Sequence, residues 1–293
     1  MDLSYAVNWT SMPELPEVET IAIGLHKRVA GDTIESVWLG EKPEPLKSPA
    51  EEILEVLEGS RIVQVRRVGK HIVFDLEQTA KKNHKAVRHG QWIVHLGMTG
   101  RMQVTNPEAE LAKHTHAIVK LSSGREVRFV DPRRFGRLAV VRMEPVKSVT
   151  GFAAPGDEPL ESKAERFVSL FHGRKTPIKS ALLNQKLLSG VGNIYADESL
   201  FRSGIRPRRR ASSLTREQLR KLHAKMQEVL REAIALGGSS VSDYVDADGK
   251  EGFFQLQHRV YGREGEPCLV CGTLIKRVVI AGRSSHYCSR CQT

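Results

Sequence analysis

The chain has 293 residues, 45 of them Lys or Arg against 34 Asp or Glu, for a net charge of +11 and a pI of about 9.6. That length holds two modest domains with their own cores, and the cationic excess favours a polyanion, nucleic acid above all, over an acidic small molecule; plain solubility charge is the alternative. No apolar run approaches the roughly 18–20 residues needed to cross a bilayer, and residues 1–11 lack the basic and apolar regions of a signal peptide, so a cytoplasmic protein with no membrane partner is expected.

The first informative segment is Met12-Pro13-Glu14-Leu15-Pro16-Glu17-Val18. At a free N-terminus proline is the only standard residue that offers a secondary amine, which attacks a sugar aldehyde carbon and gives an iminium directly. An α-amino group has a pKa near ~7.7–8.0, so a useful fraction is neutral at pH 7. Glu14 is then the nearest acid or base. The alternative is structural: Pro13 as a first-turn helix proline, with Glu14 and Glu17 favouring the helix dipole.

Short alternating apolar segments follow up to about residue 145. They are Thr33–Leu39, Ile62–Val68, His71–Leu76, Gln91–Leu96, Arg101–Val104, His116–Leu121, Glu126–Val130 and Arg137–Val141. Most are bounded by Gly, Asn, Pro or Ser, which predicts an antiparallel sandwich or barrel. Two helices, Glu17–Ala30 and Pro49–Leu57, fit beside it. The basic stretch Lys81–His89 reads as a loop that touches DNA or as a solvated hairpin tip. Two turns stand out. Met98 lies in His95-Leu96-Gly97-Met98-Thr99-Gly100, and Arg133 and Phe135 lie in Asp131-Pro132-Arg133-Arg134-Phe135-Gly136. An aromatic at a turn tip can wedge into a base stack, an arginine can bond an orphaned base, and Met98 can fill the emptied position. Core packing is the alternative for Met98 and Phe135.

Pro145, Gly151, Pro155, Gly156 and Pro159 mark a linker. Helices are expected next, over Thr176–Leu188, Ile194–Ser203 and Thr215–Leu236. The last has a Thr215/Gln218 capping box, an apolar stripe from Leu219 to Ala233, and a Gly237-Gly238 stop. Between the first two, Gly190-Val191-Gly192-Asn193 reads either as a phosphate cradle or as a ligand-free turn between helices. In the first reading the glycines admit the anion, Asn193 caps the next helix, and Lys175 and Lys179 add charge. Arg206, Arg208, Arg209 and Arg210 form a basic run that can also be a solvated turn. The polar, glycine-rich stretch 237–252 reads as a functional loop or an ordinary surface loop.

All four cysteines come last, as Cys268-Leu-Val-Cys271 and Cys288-Ser-Arg-Cys291. Paired CxxC knuckles match a four-thiolate zinc site. A redox pair does not account for two of them, and disulfides are disfavoured in a chain without an export signal. Four cysteines leave no open coordination position, so one structural Zn²⁺ is expected to build a hairpin and perform no chemistry. Arg283 sits between the knuckles.

Taken in order, Met12–Thr20, the Gly69-Lys70-His71 segment, His95–Met98, Asp131–Gly136, Gly190–Glu198 and the four-cysteine finger resemble the formamidopyrimidine-DNA glycosylase family. The resemblance covers Met12 to Gln292. The related endonuclease VIII enzymes, which act on oxidised pyrimidines, share fewer of these motifs. The implied fold is α+β: an N-terminal antiparallel β-sandwich over 13–145 with flanking helices, a linker over 146–160, a helix–two-turn–helix domain over 161–257 with a lesion-capping loop at 237–252, and a zinc finger over 258–293.

By resemblance the activity is removal of 8-oxoguanine and formamidopyrimidines from double-stranded DNA, followed by β,δ-elimination at the abasic site, by a monomer. Pro13 is implied as nucleophile, Glu14 as the acid that protonates the sugar ring oxygen, Lys70 as the β-elimination proton donor and Arg283 as the δ-elimination group. His114, Arg133, Lys175, Lys179, Asn193, Met98 and Phe135 are implied to meet DNA, and the region Ser239–Tyr244 to cap the flipped base. The family proline is a free N-terminus. Translation is therefore expected to begin at Met12, the alternative being cleavage of the preceding residues, with residues 1–12 absent from the active chain. With those residues attached, the Pro13 nitrogen is an amide and the chain becomes a non-catalytic damaged-DNA-binding protein. An RNA-binding zinc ribbon is disfavoured because no aromatic platform is evident.

Overall fold

The computed structural model describes residues 12–79, 87–143, 151–240 and 252–293. Most of the Lys81–His89 stretch, the start of the linker and positions 241–244 of the proposed capping loop lie outside the described residues. The chain divides into two compact units. One is built on Glu17–Ala153 with Gly237–Gly252; the other is built on Glu14–Pro16, Ala154–Leu236 and Phe253–Thr293.

The first unit is a sandwich of two four-stranded antiparallel sheets. Its strands are β1 (Ile34–Leu39), β2 (Arg61–Val68), β3 (His71–Thr79), β4 (Val87–His95), β5 (Arg101–Thr105), β6 (Thr115–Leu121), β7 (Glu126–Val130) and β8 (Arg137–Met143). One sheet runs β1-β6-β7-β5 and the other β2-β3-β4-β8. Alternation in the sequence becomes alternation of faces. The inward residues Ile62, Phe74, Trp92, Val119, Phe129 and Leu138 share one buried cluster drawn from both sheets, with the Phe74 and Trp92 rings 4.6 Å apart. Helix α1 (Leu15–Val29) lays Val18, Ile21, Ala22, Leu25 and Val29 on the same cluster, at the 3–4 residue spacing of one helical face. Helix α2 (Ala50–Leu57) adds Ile53, Val56 and Leu57. Every expected strand forms within two or three residues of its expected bounds, apart from β4, which begins four residues early.

The second unit carries α3 (Ala164–Phe171), α4 (Ile178–Leu182), α5 (Asn193–Ser203), α6 (Arg216–Ala235) and the finger strands β9 (Ile275–Ile280) and β10 (Arg283–Cys288). The Thr215/Gln218 capping box is formed in both directions, and the stripe from Leu219 to Ala233 is buried. The long helix expected over Thr176–Leu188 is not there. It reduces to the short α4, because the Asn184 carbonyl accepts from both Leu187 and Leu188 while its side chain accepts from the Lys186 N–H at 3.0 Å. Such local side-chain bonding competes with helix propagation. Helix α3 has no counterpart among the expected elements; only eight residues long, it buries Phe167, Val168 and Phe171.

Candidate active site and zinc finger

Pro13 is buried and precedes helix α1; Pro16, not Pro13, fills the first helical turn. Glu14, the next residue, is 3% exposed. Its Oε1 accepts the backbone N–H of Ile194 at 3.1 Å, and the Leu15 N–H bonds the Gly190 carbonyl at 3.0 Å. Gly192 is glycine for a steric reason: a Cβ there would lie 2.3–2.6 Å from the Glu14 carboxyl atoms. The start of α5 therefore takes the carboxylate of this chain, at the turn whose sequence allows either a phosphate cradle or a ligand-free turn. The helix N-cap is Gly192, without a side-chain bond. Asn193, expected to cap α5, instead sits in its first turn and reaches the Ser284 hydroxyl at 3.3 Å, because Glu14 already satisfies the end of the helix.

In the first unit, Lys70 is half-buried on the tight β2–β3 turn. Next to it, His71 packs on His95 with ring centroids 4.9 Å apart. Burial, helped by the positive neighbours His71, Lys70 and Arg137, pushes the His95 imidazole down to about 4. Neutral at pH 7, its Nδ1 accepts the Gly97 N–H at 3.1 Å. Gly97 has φ +66°, and a Cβ on it would stand 2.6 Å from the Phe135 backbone. The Met98 turn and the Arg133–Phe135 turn are thereby pressed together.

Asp131, fully buried, organises the second of these turns. Its carboxylate accepts from Thr99 Oγ1 (2.5 Å), Arg133 N (3.2 Å) and Gly136 N (2.7 Å). Phe135 is 52% exposed, so it is no core residue. The Arg133 guanidinium lies 4.9 Å from its ring centroid. Met98 is half-buried and His114 is exposed.

In the second unit Lys175 is exposed. Lys179, expected on DNA, is fully buried. Its Nζ sits 2.6 Å from Asp197 Oδ1 and 2.6 Å from the Ser284 carbonyl. Burial lowers its pKa, and the Asp197 charge opposes that shift. It holds the finger hairpin and cannot reach a phosphate, since a charge removed from water needs a fixed partner. The other Asp197 oxygen accepts the His286 N–H at 2.8 Å. Glu198, also buried, accepts the N–H groups of Arg259, Val260 and Tyr261 at 2.9–3.1 Å. Tyr261 is pushed up to about 12 by burial, with the Glu14 charge adding to the shift and a hydrogen bond to Asn193 opposing it, and stays a neutral phenol. Sequence reasoning misses Asp131, Asp197, Glu198 and Tyr261. Asp131 opens the Asp131–Gly136 segment, and Asp197 and Glu198 close the Gly190–Glu198 segment, so their signal is membership of those motifs; Tyr261 has none.

The four cysteine Sγ atoms lie within 4.8 Å of one another, with 3.9 Å between Cys268 and Cys291 and 3.4 Å between Cys271 and Cys288. A tetrahedron of thiolates about 2.3 Å from Zn²⁺ has edges of about 3.8 Å. The donor set and the spacing fit one structural zinc. Arg283 stands exposed at the start of β10, just past the Ala281-Gly282 turn of the hairpin.

Three family models match the chain in succession: the formamidopyrimidine-DNA glycosylase N-terminal domain over residues 12–138, the helix–two-turn–helix domain of the same family over 155–245, and the zinc finger found in these enzymes and in isoleucyl-tRNA synthetases over 265–293. The chain belongs to the formamidopyrimidine-DNA glycosylase family. A family member from Desulfitobacterium hafniense is 43% identical over 284 residues, covering 96% of this chain and 100% of the relative. The crystal structure of the MutM (Fpg) protein from Thermus thermophilus superposes with a TM-score of 0.80 at 42% identity, covering 96% of this chain and 98% of that one. The Lactococcus lactis family enzyme, solved with DNA containing an abasic site, superposes at 0.83 with 31% identity, covering 96% and 99%.

Proposed function

We propose that this chain is a cytoplasmic base-excision DNA glycosylase and abasic-site lyase, acting on oxidised purines in duplex DNA through an N-terminal Pro13. The Pro13 nitrogen attacks C1′ of the damaged nucleotide, and the glycosidic bond breaks with its electron pair leaving on the base. Glu14 protonates the ring oxygen, the sugar opens, and an iminium joins Pro13 to C1′. In β-elimination the C2′ proton is lost to a base and the C3′–O bond breaks with its electron pair leaving on the 3′-phosphate, Lys70 serving as the proton donor of that step; Arg283 serves the δ step, in which the 5′-phosphate leaves likewise, and hydrolysis of the iminium frees the proline. Met98, Arg133 and Phe135 fill the space of the extruded base. Lys175, His114 and Asn193 hold the backbone. The region from Ser239 onward covers the flipped base; the Ser239 N–H bonds Glu17 Oε1 at 2.7 Å, which anchors its start.

The observation that carries this reading is Glu14: a buried carboxylate adjoining Pro13 in the chain, held by a helix end and a glycine that leaves room for nothing larger. The family match starting at residue 12 supports Pro13 as the mature N-terminus. The test is borohydride trapping on a duplex with 8-oxoguanine opposite cytosine. The chain starting at Pro13 should give a covalent adduct, and one retaining residues 1–12 should neither trap nor cleave. Cleavage without trapping by the Pro13 chain would remove the iminium.

A further inference from the structure

The basic run Arg206-Pro207-Arg208-Arg209-Arg210 separates, in the structure, into two pairs with different work. Arg206 and Arg209 are tied to the chain end. Arg206 donates to the Gln292 and Ser289 carbonyls, each at 2.8 Å. Arg209 donates to the Thr293 main-chain oxygen at 3.3 Å and to the Ser213 carbonyl at 2.9 Å. Arg208 and Arg210 are exposed. Arg208 makes one long bond, 3.5 Å to the Val279 carbonyl. Among the described residues, none of the four forms an ion pair with Asp or Glu. Four guanidinium groups packed in five residues repel one another.

Their placement is what gives them meaning. Residues 210–212 run against 174–177. Arg210 bridges Pro177, the Ala211 N–H bonds the Thr176 carbonyl at 3.0 Å, and the Ser212 N–H bonds the Arg174 carbonyl at 2.7 Å. Arg210 faces Pro177, and Lys175 lies two residues further along the facing segment. At the other end, Arg208 rests on Val279, one residue pair from the Ile280–Arg283 pair at the tip of the finger hairpin. Exposed cations thus stand at the hairpin tip (Arg283), on the run itself (Arg208, Arg210) and on the segment that faces it (Lys175).

We infer that Arg208 and Arg210 form a phosphate track that joins the finger contact to the helical-domain contact and grips the duplex backbone beside the lesion. This rests on the DNA glycosylase reading above. The track carries no base readout, because backbone contacts carry no sequence information.

The experiment measures affinity of the chain starting at Pro13 against salt concentration, on an undamaged duplex and on an 8-oxoguanine duplex. Each phosphate contact contributes about 0.9 to the slope of log K on log salt. The double variant Arg208→Ala/Arg210→Ala should lose about 1.8 of that slope on both duplexes, with the ratio of the two affinities unchanged. Arg208→Lys/Arg210→Lys should keep most of it. Arg216→Ala/Lys221→Ala, on exposed positions of α6, removes the same net charge and should leave the slope in place. An unaltered slope in the first variant, or an equal fall in the α6 variant, overturns the track. A wild-type chain that binds duplex DNA with a normal slope and excises nothing would instead sink the glycosylase reading, with the slope comparison still in force.

Discussion

The turn at Asp131–Gly136 is held from within, and the turn at Gly190–Asn193 is filled from outside. In the first, the Asp131 carboxylate gathers two backbone N–H groups and the Thr99 hydroxyl under the loop. Arg133 and Phe135 are left exposed, stacked on each other. In the second, the carboxylate comes from Glu14, far away in the chain, and takes the Ile194 N–H. Both turns pair a buried acid with backbone donors and tight glycines. A turn whose acid is its own can present side chains to a partner. A turn that takes its acid from elsewhere presents that acid.

Glu14→Gln probes this contrast with the largest expected effect. Glutamine keeps an acceptor for the Ile194 N–H and loses the transferable proton, so lesion binding and thermal stability should persist. Base release should fall by about 10²–10⁴-fold. Single-turnover release from an 8-oxoguanine duplex measures it, and a wild-type rate would place the acid elsewhere.

Lys175 is exposed and Lys179 is fully buried. Lys179→Ala strands Asp197 and should cost roughly 3–5 kcal/mol of stability. Any DNA-affinity loss should follow the unfolding, with the salt slope of the folded fraction unchanged. Lys175→Ala should leave the melting temperature alone and lower the salt slope by about 0.9. Calorimetry and salt titration on the pair would expose the assignment if the two variants exchanged behaviour.

The Met98 turn depends on neutral His95. Folded, that imidazole takes its proton near pH 4, against an ordinary value of 6.5. Between those values the unfolded chain binds more protons, so stability rises with pH there. The contribution is complete above pH about 6.5 and is lost as pH falls toward 4, with about 1.4 kcal/mol for each unit of displacement. His95→Asn removes the proton site and should flatten this part of the stability–pH curve in denaturant titrations. A variant curve as steep as that of the wild type would assign the loss to other groups.

Arg133→Ala is the smallest effect and the most specific. It should relax the preference for cytosine opposite the lesion by roughly 1–3 kcal/mol, the worth of one bidentate base contact. Affinities for 8-oxoguanine paired with each of the four bases decide it: equal losses on all four would make Arg133 a phosphate anchor.

The periodic and the punctuated parts of this protein are legible in its sequence. Alternation set the sandwich strands, the Thr215/Gln218 pair set the start of α6, and two CxxC knuckles set the zinc site. Each of these follows from spacing within a few residues, where backbone geometry alone dictates which side chains share a face or a metal. Which lysine stays exposed and which carboxylate lies at which turn follows from tertiary packing alone. Lys175 and Lys179 differ by one helical turn in sequence, and nothing local marks the second as the partner of Asp197 and the Ser284 carbonyl. Gly190–Asn193 reads as a phosphate cradle or as a ligand-free turn, and nothing local says that Glu14 lies beside it. Desolvation and pairing of charge depend on groups that the chain brings together from distant positions, as far apart as Glu14 and Ile194 or Lys179 and Ser284, and that proximity has no trace in local pattern.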